Sequence, residues 1–344
     1  MIRQIARCII FLGLFFNTTG VSAASLQELA IQYAPIFQLQ HQETFLPSSV
    51  EWYINRVELQ YKKSSVVPAG SLHPQLLAHW QPSMGQNLTN TEKADHLALK
   101  IPDQHRDEIR AGDLSSASCY THPHYIDQGR GIEINYVIFF PFNGQAFTKS
   151  SLINRIFYHY GVGFHEGDFE HITIRLNAEG SKILGVYYSA HSDEETWLTK
   201  DFPVTPENRL ISYVALNTHA MYPYSGIIHR RVLTPEWFYK YFHIRKSWTP
   251  LIDITDNKGP ILDCRQQMTL IESERSENHP WTEFLGRWGS RSSEYYSSTG
   301  PGTFTHSSWF INREEIPTAS SLRLKKLAIK PEHPLFDDEE EFKK

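Results

Sequence analysis

The richest chemistry in the chain lies in His165-Glu166-Gly167-Asp168-Phe169-Glu170-His171-Ile172-Thr173-Ile174-Arg175-Leu176. Asp168 and Glu170 share strand parity with Ile172, Ile174 and Leu176. An unbulged strand therefore places both carboxylates on its apolar face. A buried carboxylate without a partner is costly, so such groups are paired, protonated or bound to a metal. Gly167 lets the chain turn sharply, which brings His165 within reach. One imidazole and two carboxylates make a mixed nitrogen and oxygen set suited to Mg²⁺, Ca²⁺, Mn²⁺ or Zn²⁺. The competing reading is a buried ion pair. Arg175 has the opposite parity and is not the obvious partner, but other arginines could serve. A bulge near Gly167 would instead turn the carboxylates to solvent.

Two more histidines fall at the ends of apolar runs, His191 after Tyr187-Tyr188-Ser189-Ala190 and His219 before Ala220-Met221-Tyr222-Pro223. If those runs are strands beside 170–176, both imidazoles reach the same rim. There they would touch the ion or its ligand, or act as general acid or base. A lone histidine is more often a satisfied polar residue. His171 points away from Glu170 and is the weaker candidate. Tyr222, Tyr224 and Trp288 could offer stacking surface, with simple packing as the alternative. The chain has no nucleophile elbow, phosphate loop, paired-cysteine zinc motif or His-Glu-x-x-His helix, which argues against several common hydrolase mechanisms.

These residues need strands to hold them. Ile132, Ile134, Tyr136, Ile138 and Phe140 alternate with Glu133, Asn135, Val137 and Phe139, a period-two strand that Pro141-Phe142-Asn143-Gly144 closes as a turn. Further strands are expected over 170–176, 184–190 and 210–216, with Asn177-Ala178-Glu179-Gly180 as a hairpin connection. Ser25-Leu26-Gln27-Glu28 is a capping box opening a helix with Leu26, Leu29, Ala30 and Tyr33 on one face. Pro235 could open a helical turn. Residues 81–113 read as a polar surface excursion, and 286–303 as a structured loop. The fold class is mostly β: a large β-sandwich with short helices and long loop insertions.

The ends and the composition set the context. Arg3 and Arg7, the apolar run Cys8–Phe16 and the small-residue site Val21-Ser22-Ala23 make residues 1–23 a secretory signal peptide. That run is far short of the ~20 apolar residues a membrane span needs. Residues 24–315 are then one decorated sandwich domain, and 316–344 a partly disordered acidic tail. The expected location is secreted or periplasmic. With 33 basic against 38 acidic side chains, the net charge of −5 excludes a strongly basic nucleic-acid binder. The 13% aromatic content suits β-structure. Outside the signal peptide only Cys119 and Cys264 remain; they either close one disulfide or stay as buried thiols. Asn87-Leu88-Thr89 fits a glycosylation pattern that is frequent by chance.

Taken in order, a series of blocks resembles the vacuolar protein sorting-associated protein 62 family. They are Tyr33-Ala34-Pro35-Ile36-Phe37, 45–52, Phe139-Phe140-Pro141-Phe142-Asn143-Gly144, 165–171, Tyr188-Ser189-Ala190-His191, 219–223 and Phe284-Leu285-Gly286-Arg287-Trp288-Gly289. Phe169 stands where that family usually carries Trp. The resemblance implies a fold and a site but no reaction, because the family lacks an agreed biochemical activity. His165, Asp168 and Glu170 also resemble the His-x-x-Asp-x-Glu motif of necrosis- and ethylene-inducing-like toxins. That likeness implies a secreted β-sandwich with a divalent metal at the motif, acting at glycolipid-bearing membranes. The leading expectation is a protein binding a divalent metal and a glycan or lipid headgroup. The alternatives are a metal-dependent hydrolase of phosphodiesters or glycosides, and an interaction protein without an active site.

Overall fold

The computed structural model describes residues 24–82, 87–190, 196–198, 200–233, 248–272, 276–293 and 297–302. The expected signal peptide, the helical turn at Pro235, the acidic tail and His191 lie outside the described residues.

Local rules set the first element. Ser25 Oγ accepts the Glu28 N–H, and the Glu28 carboxylate accepts the Ser25 N–H, opening α1 (Leu26–Gln32). Leu29 and Ala30 of α1 are buried, with Leu26 and Tyr33 packed beside them. Among the described residues, five further α-helices follow: α2 (Val50–Ile54), α3 (Pro74–His79), α4 (Asn90–His96), α5 (Arg106–Arg110) and α6 (Ser151–Tyr160). The strands before α6 are β1 (Ile36–Leu39), β2 (Glu58–Tyr61), β3 (Ser64–Val67), β4 (Leu97–Lys100), β5 (Cys119–Ile126) and β6 (Gly131–Asn143). Those after it are β7 (His165–Asn177), β8 (Ile183–Tyr188), β9 (Thr196–Leu198), β10 (Ile211–Val214) and β11 (Met221–Tyr222). The last are β12 (Gly226–Leu233), β13 (Trp248–Thr255), β14 (Ile261–Asp263) and β15 (Met268–Leu270).

The central sheet has the order β15-β5-β6-β7-β8-β9. Its spine is the antiparallel pair β6 and β7, each 13 residues long. Ile132 faces Leu176, Ile134 faces Ile174 and Tyr136 faces Ile172. These side chains meet Phe37, Leu39, Val214, Met221 and Leu262 of a second sheet, ordered β11-β10-β1-β14. Two sheets thus face each other across one apolar core. Cys119 and Cys264 are joined by a disulfide inside this core, linking positions 145 residues apart.

The other face of the spine is divided. At one end Val137, Phe139 and Phe169 pack with Tyr53 of α2, Leu59, Leu97 and Leu99 of the β3-β2-β4 sheet, and Trp281, Phe284 and Trp288. At the other end the pleat aligns polar rows. His124 faces Glu133, which faces Arg175; His122 faces Asn135, which faces Thr173. Arg175 donates to the Glu133 carboxylate, with Nε to Oε1 at 2.8 Å. Arg175 is therefore paired across the strand, away from Asp168 and Glu170.

Two expectations are corrected. Residues 81–113 are not a surface excursion. They contain α4, β4 and α5, and bury Leu97, Leu99, Ile101 and Ile109. The alternation Leu97-Ala98-Leu99-Lys100-Ile101 is a strand signal, short and flanked by polar residues. Pro141 does not close β6 either, for the strand continues to Asn143 opposite His165. Pro141 lies opposite Gly167, between the Phe140–Asp168 and Phe142–Glu166 pairs, where the ladder skips a step and its missing N–H is tolerated.

Candidate functional site

Asp168 and Glu170 stand opposite Phe140 and Ile138, on the sandwich-core side of β7 as their parity requires. Gly167 shapes the start of this segment. Its φ is +64°, and a Cβ there would lie 2.4 Å from the Trp288 carbonyl oxygen, so only glycine fits. His165 is half-buried, and its Nδ1 donates to the Gly167 carbonyl at 3.0 Å, which leaves Nε2 as the ring's second nitrogen.

Asp168 is buried. One carboxylate oxygen accepts the Phe169 N–H at 3.0 Å; the other, Oδ2, lies 3.6 Å from His219 Nδ1 and accepts no hydrogen bond. On the far side of the imidazole, Nε2 is 3.6 Å from Glu43 Oε2. Backbone N–H groups of Phe45 and Asn217 hold the Glu43 carboxylate at 2.7 and 2.6 Å. His219 is fully buried and lies flat on Phe140, with ring centroids 3.7 Å apart. Burial opposes its charge, but Asp168 and Glu43 outweigh burial and raise its pKa to about 9. Burial likewise pushes Asp168 up, yet His219 and His165 hold it below the usual carboxylate range. His219 is thus a sealed cation between two anions and presents no surface to a ligand.

Glu170 differs. It is partly exposed and accepts a hydrogen bond from Ser189 Oγ. Burial and the charge of Asp168, with a further push from Asp253, raise its pKa well above the carboxylate range. Asp253 on β13 is fully buried and already satisfied. Its carboxylate accepts from Thr218 Oγ1 at 2.7 Å and from the Tyr222 hydroxyl, and lies 2.6 Å from Arg230 Nε. Ion pairing leaves one group without a partner. Asp168 and Glu43 share His219, Asp253 has Arg230, and Glu170 has no salt-bridge partner among the described residues. Burial and the neighbouring Asp168 charge therefore favour the neutral form of the Glu170 carboxyl.

The structure thus brings His165, Asp168, Glu170 and His219 to one region. Among the described residues, no three His, Cys, Asp or Glu side chains are already arranged as a metal-ligand set. Tyr222 and Trp288 cannot offer stacking surface, because both are buried. Tyr222 holds Asp253, and Trp288 sits edge-on to Phe169 and Phe284. Phe169 fills the aromatic position in this cluster, beside Phe139 as well as Trp288. Tyr224 is 37% exposed and remains a surface aromatic.

With this geometry in hand, comparison with known proteins gives one decisive match. The family described as vacuolar protein sorting-associated protein 62 matches residues 20–297. The chain belongs to this family. No curated protein matches the family member described here. Among solved structures, it is similar to "Toxin fold for microbial attack and plant defense", at 13% identity and a TM-score of 0.35, covering 81% of this chain and 85% of that one. "NLPPya in complex with glucosamine" is similar at 12% identity and 0.36, covering 85% and 91%. A third is Necrosis and Ethylene inducing Protein 2 from the causal agent of cocoa's Witches Broom disease, at 11% and 0.30, covering 74% and 76%.

Sequence reasoning missed Glu43, Ser189, Arg230 and Asp253. A signal existed for Asp253, a lone acid inside Leu251-Ile252-Asp253-Ile254. Glu43 lies in the polar stretch Gln40-His41-Gln42-Glu43-Thr44, and nothing there marks it as buried.

Proposed function

We propose that this family member is a binding protein whose Asp168–Glu170 rim takes a divalent cation and, through it, a polyhydroxylated glycan or lipid headgroup. The observation that carries the reading is Glu170, a part-exposed residue whose carboxylate has no salt-bridge partner among the described residues and lies near an Asp168 oxygen that accepts no hydrogen bond. A cation there relieves the repulsion that otherwise forces a proton onto Glu170. The donors fit a hard ion: Asp168 and Glu170 supply oxygens, and His165 a nitrogen. When bound, the ion would offer its remaining positions to water or ligand hydroxyls. His219 and Glu43 would fix the Asp168 carboxylate from behind, and Ser189 would orient Glu170. The Cys119–Cys264 disulfide suits an oxidising compartment, which supports action in a secreted or periplasmic setting.

Calorimetric titration with Ca²⁺, Mg²⁺, Mn²⁺ and Zn²⁺ tests the proposal, using wild type and Glu170→Gln. The substitution keeps shape and a hydrogen-bond acceptor while removing the charge. One equivalent should bind wild type and bind Glu170→Gln at least about tenfold more weakly, a difference of roughly 1.4 kcal/mol. Absence of divalent binding to wild type would sink the reading and leave a protein whose buried acids are purely structural.

A further inference from the structure

A second feature lies on the outer face of the β3-β2-β4 sheet. Leu59, Leu97 and Leu99 point inward to the aromatic core, so Gln60, Ala98 and Lys100 point outward. A strap, residues 286–290, runs beside β4. The Leu99 N–H donates to the Arg287 carbonyl and the Arg287 N–H to that of Leu97, both at 2.9 Å; the Ser290 N–H reaches the Leu99 carbonyl at 2.6 Å. Sheet and strap enclose a recess of about 560 Å³.

The recess is strongly basic in an acidic protein. Lys62, Lys63, Lys100, Arg287 and Arg291 line it with one lining acid, Asp95, and Lys100 Nζ also lies 3.7 Å from Asp103 Oδ2. A cleft lined by one sign of charge concentrates the field on counter-ions. Ser290 also lines it; this side chain is 8% exposed, and its Oγ has no hydrogen-bond partner. A buried hydroxyl without a partner is a donor waiting for an acceptor. The backbone carries a further sign. Lys62 and Lys63 form the two-residue turn between Tyr61 and Ser64, with φ of +50° and +67°. Such a turn favours Asn-Gly. Two lysines held in left-handed conformations are strained, and such strain clusters at ligand clamps.

We propose that this recess binds a phosphomonoester. Lysine and arginine charges with a hydroxyl donor match a dianionic tetrahedral head. The volume exceeds a bare oxyanion and suits an attached sugar- or glycerol-sized body. The ester is either a soluble metabolite or a phospholipid headgroup, and the shared chemistry is the terminal phosphate.

Titration of the full chain with glycerol 3-phosphate, inorganic phosphate and glycerol 3-phosphocholine tests this. Flotation with phosphatidylcholine vesicles, with and without phosphatidic acid, runs alongside. The monoester should bind saturably, more tightly than inorganic phosphate or the diester, and more weakly as salt rises. Binding of glycerol 3-phosphate alone assigns a soluble ligand; added binding to phosphatidic acid vesicles assigns a lipid. The deciding variant is the double substitution Lys62→Asn, Lys63→Gly. It relaxes the turn, so it should fold at least as well as wild type, yet bind at least about tenfold more weakly. Unchanged affinity in that variant, equal affinity for inorganic phosphate, or no saturable binding of either monoester would overturn the proposal.

Discussion

Acid should weaken the fold through His124, and the amount follows from its surroundings. The imidazole lies on β5, stacked on His122 with ring centroids 4.9 Å apart, and its Nδ1 is buried without a hydrogen-bond partner. Glu133 is 3.8 Å from Nε2, which would ordinarily favour the protonated ring. That carboxylate is already neutralised by Arg175. Burial, then the neighbouring His122 and Arg175, bring the His124 pKa from 6.5 down to about 4. At about 1.4 kcal/mol per pH unit, the difference amounts to roughly 3 kcal/mol. The side chain is a quarter exposed, so this is an upper figure. The folded pKa is depressed, so the unfolded chain gains the proton first. Stability is full above pH 6.5 and declines as pH falls towards 4. His124→Phe removes the titrating ring and its unpartnered nitrogen. Urea denaturation of both proteins at pH 7.5, 6, 5 and 4 should show wild type losing up to ~3 kcal/mol more than the variant. Parallel stability curves would refute the electrostatic reasoning.

Arg175→Met should cost about 3–5 kcal/mol in urea denaturation, because it removes the arginine that pairs with the buried Glu133 carboxylate. In that background the His124 pKa should rise, readable from its ring resonances by NMR. Gly167→Ala should lower stability by at least ~1–3 kcal/mol through its positive φ alone, with a further penalty from the 2.4 Å approach to Trp288; thermal unfolding measures it. Replacing Cys119 and Cys264 by Ser should cost roughly 2–4 kcal/mol by denaturant titration, since the bond closes a long loop.

The spine of the sandwich was legible because its pattern is purely local. Parity alone set Asp168 and Glu170 on the core side of β7 and Arg175 on the other, and the register agrees. The capping box announced α1 in the same way. What stayed hidden depends on long-range packing. No periodicity links Glu43 to His219 across the chain, or Arg230 to Asp253 on the neighbouring strand. Trp288 and Tyr222 look like candidate ligand contacts by residue type, and only tertiary packing shows them sealed. β4 was obscured because its few apolar residues sit between polar neighbours that form helices on either side.

The strap at residues 286–290 belongs to two places at once. Arg287 and Ser290 form a wall of the basic recess, while the carbonyl of Trp288 between them presses on Gly167 and accepts the Tyr53 hydroxyl at 3.0 Å. Gly167 in turn precedes Asp168 and anchors His165. There is no slack along this line, because a side chain as small as methyl does not fit at Gly167. A ligand that shifted the strap would press directly on the start of β7. If both proposed sites bind their ligands, and the two are coupled through this contact, thermodynamic reciprocity requires each ligand to alter the other's affinity by the same factor.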